Sequence, residues 1–600
     1  MRPFHVLRRN YKAEQPTHLL FVDTESAIEH VTPRLQRHTL ALGFALYVRR
    51  RRVHGVDTYT EEPCRFTTPA AFWDFAEAHA YAGTKLTIYA HNWNYDAGIL
   101  QTATIPHDRG WTCTSYVNEK PPFILKLRRG RATISMIDTL NYFGSALAAL
   151  GEQIGLSKGE MPAPDAPESE WWWYCERDCR IVSELVITWL RFLRDHDLGN
   201  YQATLASQAF TAYRHRFMSS PIQIHDRARI CELEREGYHG GRTECFQLGT
   251  VERQLHYLDV NSLYPYVMRE HPYPTRYVEA RRAPAIDTLA RWVEGSCVVA
   301  RVEVETSEPV FPSRHLGKLV FGVGRYWTTL NTPELVYALQ RGLIRSTGHA
   351  VRYDRAELFR DWVDELYGLR LQYVAAGDRR YAMLCKYMLN SLYGKFGQSG
   401  SRWHPSDHEI EGDHETILIR EHPSEPVLRL RSRMGQVQEF RTEGESRDSF
   451  PAIAAHVTAH GRMYMWELMQ RAGLDHVYYM DTDSLIVDDR GYRKLRGLVS
   501  SDELGALKVE GTATSSTFHG AKDYKFGDVE HIKGVRRNAT RLSESRFDQD
   551  RFYSWDYLLS KGIDGAIYVS REIKELARNY DKGVRTASGR VTPLRIGSNR

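Results

Sequence analysis

Runs of apolar positions divide the chain into two organised blocks. Near the N-terminus, LLFVDTES and TLALGFALYV within residues 19–48 read as strands, closed by the run Arg49–Arg52. FILKL, RRGR and ATISMIDTL (123–140) read as a hairpin with a basic turn. Residues 168–194 predict one long helix, and PAPDAP (162–167) precedes it as a breaker. The second block begins near residue 228. Its strand QLHYLDV (254–260) runs into a turn and the helical stretch NSLYPYVMRE. Two further helical stretches, 355–375 and 378–394, flank Gly377 and predict a helical hairpin. Residues 398–448 are polar and irregular, with short strand-like pieces such as TILI and VLRLR, and read as an insertion. A helix over 451–472 leads to a hairpin, HVYYM-DTD-SLIVDD (476–489).

A chain of 600 residues exceeds one hydrophobic core and predicts several domains. No stretch reaches the roughly 18 apolar residues of a membrane helix. The beginning, MRPFHVLRRNYKAEQ, is charged and lacks the apolar core of a signal peptide. The expectation is a cytoplasmic protein with no membrane partner. None of the eight cysteines forms paired CxxC motifs, so no zinc site is signalled; Cys175 and Cys179, four apart, read as reduced thiols. The net charge of +5 says little about partners, but residues 531–600 hold 15 Lys and Arg against 8 Asp and Glu. That local excess suits a phosphate backbone and fits a solvated surface nearly as well.

Acidic residues gather in two sets. Asp23 and Glu25, two apart at the end of an apolar strand, share one face. Asp96 lies in YAHNWNYDAGIL, after another strand-like run, and Tyr174 and Asp178 are i and i+4 on the long helix. Each alone is more often a solvated edge, a cap or plain surface. Four acids meeting at a sheet edge would hold two hard cations, which can activate water and stabilise a leaving oxygen in phosphodiester cleavage. Tyr174 could orient that water.

In the second set, Asp259 ends a strand in YLDVNSLYPYVM, and Asp481 and Asp483 form a hairpin turn with Thr482 between them. Two acids on a tight tip repel unless cations compensate, although Asx turns also use Asp. Asp259 and Asp483, with the Val260 carbonyl, could clamp two metals that activate a 3′-hydroxyl and neutralise a triphosphate. Lys386, Asn390 and Tyr393 at i, i+4 and i+7 would form one helix face for a nucleotide; an amphipathic helix with Lys exposed and Tyr packed is the even alternative.

In order and context, DTES, HNWNYD and YCERD resemble the three exonuclease motifs of proofreading DNA polymerases, and DxxSLYP, KxxxNSLYG and YxDTDS resemble motifs A, B and C of family B DNA polymerases. The resemblance implies Asp23, Glu25, Asp96 and Asp178 as metal ligands, and Ser26, Asn92, Thr139 and Leu140 as contacts to single-stranded DNA. It implies Asp259 and Asp483 as metal ligands with Asp481 an essential neighbour, Thr482 at the DNA, Lys386 on the triphosphate, and Tyr264 under the sugar with Tyr393 beside it. Tyr238-His-Gly240-Gly241 resembles the YxGG element that grips template, and Lys522-Asp-Tyr524 the KxY element that holds the primer strand.

Extra sequence between motifs A and B and between B and C resembles the protein-primed branch of bacteriophages, adenoviruses and linear plasmids. The implied fold is multidomain α+β: an RNase H-like 3′–5′ exonuclease domain plus a right-hand polymerase with antiparallel palm, helical fingers and small thumb. The implied divisions are 1–198 exonuclease, 199–269 linker and palm, 270–352 first insertion, 353–397 fingers, 398–448 second insertion, 449–510 palm, and 511–600 thumb and C-terminal region. The two insertions resemble the terminal-protein regions of that branch. The implied activity is template-directed DNA synthesis with proofreading and strand displacement, started on a terminal protein. It would use Mg²⁺ or Mn²⁺, two ions per site, by a monomer meeting DNA, dNTPs and a single-stranded-DNA-binding protein in a host cytoplasm. Three alternatives stay open: a polymerase needing no primer, a nuclease or DNA-binding protein with an inactive polymerase half, and a host polymerase working with a clamp. VTPLRIGSNR at the end shows no aromatic clamp-binding peptide.

Overall fold

A computed structural model describes residues 4–119, 121–420, 427–441 and 444–597. Residues 1–3 and 598–600, included in the readings of the two ends, lie outside the described residues, as do 421–426 and 442–443 of the expected second insertion.

The N-terminal sheet is built on β1 (His18–Thr32), β2 (Leu35–Val53), β3 (Lys85–Ala90) and β4 (Ala132–Asp138). β1 runs antiparallel to β2 and parallel to β3, which is parallel to β4. Leu19, Leu20, Phe21 and Val22 are all fully buried. Their continuous apolar run is the signature of a strand covered on both faces. β1 and β2 outrun the sequence expectation. Asp23 and Glu25 therefore lie within a strand, and Arg49–Arg52 extend β2 instead of closing it, because Val56–Phe66 pairs along its whole outer length. Arg50 is held under that ribbon by Asp57 at 3.2 Å.

Helices α1 (Trp93–Ile99) and α2 (Glu168–Asp195) flank this sheet. α2 has 28 residues, so it is about 42 Å long. Its buried face includes Tyr174, Cys175, Asp178, Cys179, Ile181 and Val182. Both cysteines are free thiols, as expected.

The central sheet has seven strands, with β5 (Gly249–Val260), β6 (Val477–Asp481), β7 (Ser484–Asp488) and β8 (Leu507–Gly520) among them. Every described pairing among these four is antiparallel. Around it lie α3 (Leu263–Glu270), α4 (Arg360–Ala375), α5 (Arg379–Ser391) and α6 (Pro451–Ala472). α4 starts later than predicted because residues 344–356 form a strand against Cys297–Thr306. Gly377 joins α4 to α5 at φ +73°, a conformation that favours glycine. Asp378 caps α5 by accepting from the Arg380 and Tyr381 amides. The α4–α5 hairpin leans on α2: the Tyr373 hydroxyl bonds His196 Nε2 at 2.7 Å, and the Tyr381 ring lies 5.7 Å from Phe192.

Residues 270–352 contribute four strands of a five-stranded sheet, completed by Arg595–Ile596. Strands Arg402–Pro405, Thr416–Ile419, Leu428–Arg433 and Gln436–Arg441 form a four-stranded antiparallel sheet. The strand-like pieces TILI and VLRLR fall in two of these strands, and the sheet corrects only the irregular reading of the rest. Arg431 lies 4.2 Å over Trp403 and Arg429 4.5 Å over Phe440. Arginine occupies packing positions where a hydrophobic pattern expects aliphatic residues.

The chain end returns to the first sheet. β9 (Arg546–Phe552) pairs with β10 (Ile567–Glu575), and β10 pairs with Leu35–His38 of β2. Part of the basic excess is neutralised internally: Arg571 pairs with Asp548 and Asp550, and Arg578 with Asp523. Among the described residues no helix is long and apolar enough to cross a membrane.

α6 carries an acid-sensitive contact. The fully buried His456 donates from Nδ1 to the Ala452 carbonyl at 2.7 Å and accepts at Nε2 from the Thr332 hydroxyl at 2.9 Å. Burial lowers its pKa from 6.5 to about 4. His460, stacked on His271 at 3.8 Å, is lowered too, mainly by burial. The unfolded chain therefore binds more protons below pH 6.5, and stability falls as pH drops from 6.5 towards 4. The His456 contribution is about 3 kcal/mol. Thermal melts across that window should show a falling Tm, and a flat Tm would remove the assignment.

Candidate active sites

The first carboxylate cluster forms where β1, α1 and α2 meet. Alternation along β1 turns Asp23 and Glu25 to one face, and α2 brings Asp178 across. Ligand oxygens of these three lie within 4.8 Å of one another. Asp96, on α1, is 4% exposed and accepts the Thr24 hydroxyl at 2.7 Å. Burial followed by mutual repulsion raises Asp23 well above its usual range. Burial, then the charge of Asp178, pushes Glu25 up to about 7. Burial pushes Asp96 up to about 7 against the pull of the Thr24 hydroxyl. Asp178 Oδ1 is buried without a hydrogen-bond partner. Orphaned, repelling oxygens at this spacing are what a bound cation would relieve.

Lys158 was not anticipated. Its ammonium contacts the Asp178 carboxylate and lies 4.7 Å over the Tyr174 ring. It sits in the loop before PAPDAP, where no periodicity marks it. Tyr174 itself is 3% exposed and hydrogen-bonds Lys158. Asp138, equally unanticipated, fixes the start of α1: its carboxylate accepts the amides of Asn92, Trp93 and Leu140, each at 2.9 Å.

The expected single-stranded-DNA contacts divide. Asn92 and Leu140 line one cavity, and Ser26 Oγ accepts the Tyr95 hydroxyl at 2.8 Å beside it. Thr139 is fully buried, with its hydroxyl 3.1 Å from the Ala90 carbonyl and 2.9 Å from His91 Nδ1. Its side chain therefore does not face the cavity, which corrects that expectation.

The second cluster lies at one end of the central sheet. Asp259 is opposite Ser484 in the β5–β7 register, and the Val260 amide donates to the Asp483 carbonyl at 2.8 Å. Burial, then the Asp483 charge, pushes Asp259 up to about 7, while Lys386 and Lys508 pull the other way. Burial also raises Asp483. Asp481 ends β6; it pairs with Lys522 at 3.0 Å and accepts the Thr243 hydroxyl at 2.9 Å. The turn is therefore compensated on one side by protein cations. Lys522, expected at DNA, is exposed but committed to Asp481. Tyr524 is 5% exposed, its ring 4.7 Å from Tyr479. Its ring is part of the core of the sheet.

Thr482 takes φ +59°, and its amide donates to the Arg242 carbonyl at 2.7 Å. A Cβ at Gly241 would stand 2.7 Å from Thr482 Cγ2, so this crossing of the two segments admits only glycine. Gly240 is exposed, whereas Tyr238 is half-buried. Behind it, Arg462 on α6 donates through Nε and Nη2 to Glu334 Oε1, and through Nη1 to the carbonyls of His239 (2.6 Å) and Gly240 (3.1 Å). This fully enclosed pair was invisible in sequence, because its partners are more than a hundred residues apart.

Lys386 and Asn390 are exposed on α5, which ends at Ser391. Tyr393 begins a short helical turn after Leu392, whose backbone stays helical at φ −75° and ψ −54°. Tyr393 meets Tyr264, with ring centroids 4.7 Å apart. Lys386 is close enough for its charge to act on both Asp259 and Asp483.

Residues 158–404, which include Asp178, Asp259 and α5, match the family described as DNA polymerase type B, organellar and viral. A probable DNA polymerase of Neurospora intermedia is 24% identical over 380 residues, covering 58% of this chain and 37% of its own length. The DNA-directed DNA polymerase of Enterobacteria phage PRD1 is 24% identical over 393 residues, covering 63% and 64% respectively. The chain spans about a third of the length of the fungal relatives it matches. Phi29 DNA polymerase complexed with primer-template DNA superposes with a TM-score of 0.67 at 15% identity, covering 94% of this chain and 100% of that one. The multidomain α+β fold is that of phi29 DNA polymerase, and residues 158–404 of the chain resemble the type B DNA polymerases of organellar and viral type.

Proposed function

We propose that the chain is a DNA-directed DNA polymerase with a 3′–5′ proofreading exonuclease. The observation that carries this reading is the presence of two separate carboxylate clusters, each with acids raised by burial and mutual repulsion. On this reading residues 1–198 are the exonuclease domain, and 199–269 with 449–510 the palm. Residues 353–397 are the fingers, 511–600 the thumb and C-terminal region, and 270–352 and 398–448 the two insertions.

Asp23, Glu25, Asp96 and Asp178 would hold two Mg²⁺ or Mn²⁺ ions, as would Asp259 and Asp483 with the Val260 carbonyl. When bound, such ions sharpen the attacking oxygen and neutralise the leaving one. The protein's own groups do the rest. Lys386 draws the triphosphate to the Asp259–Asp483 cleft. Tyr264 and Tyr393 form a paired wall under the sugar. Lys522 holds the Asp481 carboxylate through their 3.0 Å ion pair. Lys158 fixes the rotamer of Asp178 and, through its ring contact, that of Tyr174. Initiation on a terminal protein that uses the two insertions, with strand displacement afterwards, rests on the resemblance of the motifs and of the sequence between them to the protein-primed branch.

The test is primer extension on a primed template with Mg²⁺ and dNTPs. Asp23→Ala/Glu25→Ala should shorten the primer at least about a thousandfold more slowly, a loss of ~4 kcal/mol in transition-state stabilisation, while extending it normally. A wild type that only degrades primer under every dNTP and metal condition overturns the polymerase reading.

A further inference from the structure

We propose that the C-terminal region supplies a nucleotide subsite to the first carboxylate cluster. It would be a stacking platform for a base upstream of the terminal nucleotide, with a cation for its phosphate. The proposal rests on the exonuclease reading above.

A cavity of about 360 Å³ lies between α1 and the end of β9, a volume in the range of small-ligand pockets. Asn92, Tyr95 and Leu140 line one side; Arg536, Phe552 and Tyr553 line the other. The first side adjoins the carboxylates directly, because Tyr95 precedes Asp96 and its hydroxyl reaches Ser26 Oγ at 2.8 Å. Nothing in the sequence motifs marks the second side.

Its chemistry is that of a single-strand binder. Phe552 ends β9 with 45% of its surface exposed. It meets the Tyr95 ring edge-on, with centroids 6.5 Å apart. Arg536 lies over the Phe552 ring at 5.0 Å, and among the described residues no carboxylate pairs with its guanidinium. Tyr553 stacks on Tyr557 at 5.3 Å, which stiffens the rim. Asp138 also lines the cavity, but its carboxylate already accepts three backbone amides, so its charge is largely balanced. An exposed aromatic face beside an unpaired guanidinium matches one base and one phosphate. The β10–β2 pairing holds this wall in place against the N-terminal sheet.

The test compares full-length wild type with Phe552→Ala, Phe552→Trp and Arg536→Ala on two substrates. One is a single-stranded oligonucleotide; the other is the p-nitrophenyl ester of thymidine 5′-phosphate, which has no upstream base. Phe552→Ala should raise KM for the oligonucleotide about tenfold, leave ester hydrolysis unchanged, and be rescued by Phe552→Trp. Arg536→Ala should lower the log–log salt slope for the oligonucleotide by about 0.7, one phosphate contact. Equal losses on both substrates, or none on the oligonucleotide, overturn the platform. If wild type cleaves neither substrate, the exonuclease reading itself fails. Fluorescence anisotropy in the Asp23→Ala/Glu25→Ala background then decides the platform: weaker oligonucleotide binding on adding Phe552→Ala supports it, and equal binding overturns it.

Discussion

Asp483→Ala lowers templated primer extension by about a thousandfold or more, ~4 kcal/mol of lost transition-state stabilisation, while leaving the fold at least as stable as wild type. The two halves of this result have one cause. Asp259 and Asp483 are both raised, mainly by burial, and the Asp483 charge adds directly to the strain on Asp259. Removing one carboxylate relieves the other, so Tm should hold or rise even as activity disappears. An acid kept for structure would behave in the opposite way, losing Tm along with activity. Steady-state extension and a thermal melt on the same preparation decide between them. Extension within tenfold of wild type would exclude Asp483 from the chemistry.

Arg462→Met is expected to be the most destabilising single change near that cleft. Arg462 and Glu334 expose 2% and 0% of their side chains. Deleting the cation leaves an enclosed carboxylate without its partner, which costs about 3–5 kcal/mol. It also removes the donor from the His239 and Gly240 carbonyls. Arg462→Met/Glu334→Gln should recover part of the stability, since a neutral amide is cheaper to enclose than a lone charge. It should not recover extension, because the carbonyls of the Tyr238–Gly241 segment would still lack their donor. Chemical denaturation of the single and double variants measures the first effect, and primer extension the second. A double variant no more stable than the single would show that the charge pair is not the source of the loss.

The sequence disclosed what is local. Strand-to-turn acids such as Asp259 and Asp483 stand out because flanking apolar runs and tight spacing encode both position and chemistry within a dozen residues. The long helix carrying Tyr174 and Asp178 was legible for the same reason. Groups that act across the fold were not. Lys158 reaches Asp178 from an irregular loop, Arg462 meets Glu334 from another element, and Asp138 works through backbone amides, so none leaves a periodic trace. Motif position also overstated exposure. Thr139 and Tyr524 lie in motif-like strings, yet packing against Ala90 and Tyr479 encloses both. Within 398–448 the pieces TILI and VLRLR were legible as strand-like, whereas their assembly with Arg402–Pro405 and Gln436–Arg441 into one sheet was not, because those pairings join separate segments.

The register between β10 and β2 sets an order of events during synthesis. His38 is opposite Ile567, about 530 positions later in the chain. A ribosome adding about 5–20 residues per second would leave that stretch of β2 without its neighbour for roughly half a minute to two minutes. During that wait the open stretch is Leu35-Gln36-Arg37-His38, polar and basic enough to discourage pairing with other nascent chains. A strand made late in synthesis thus completes the sheet that was laid down first.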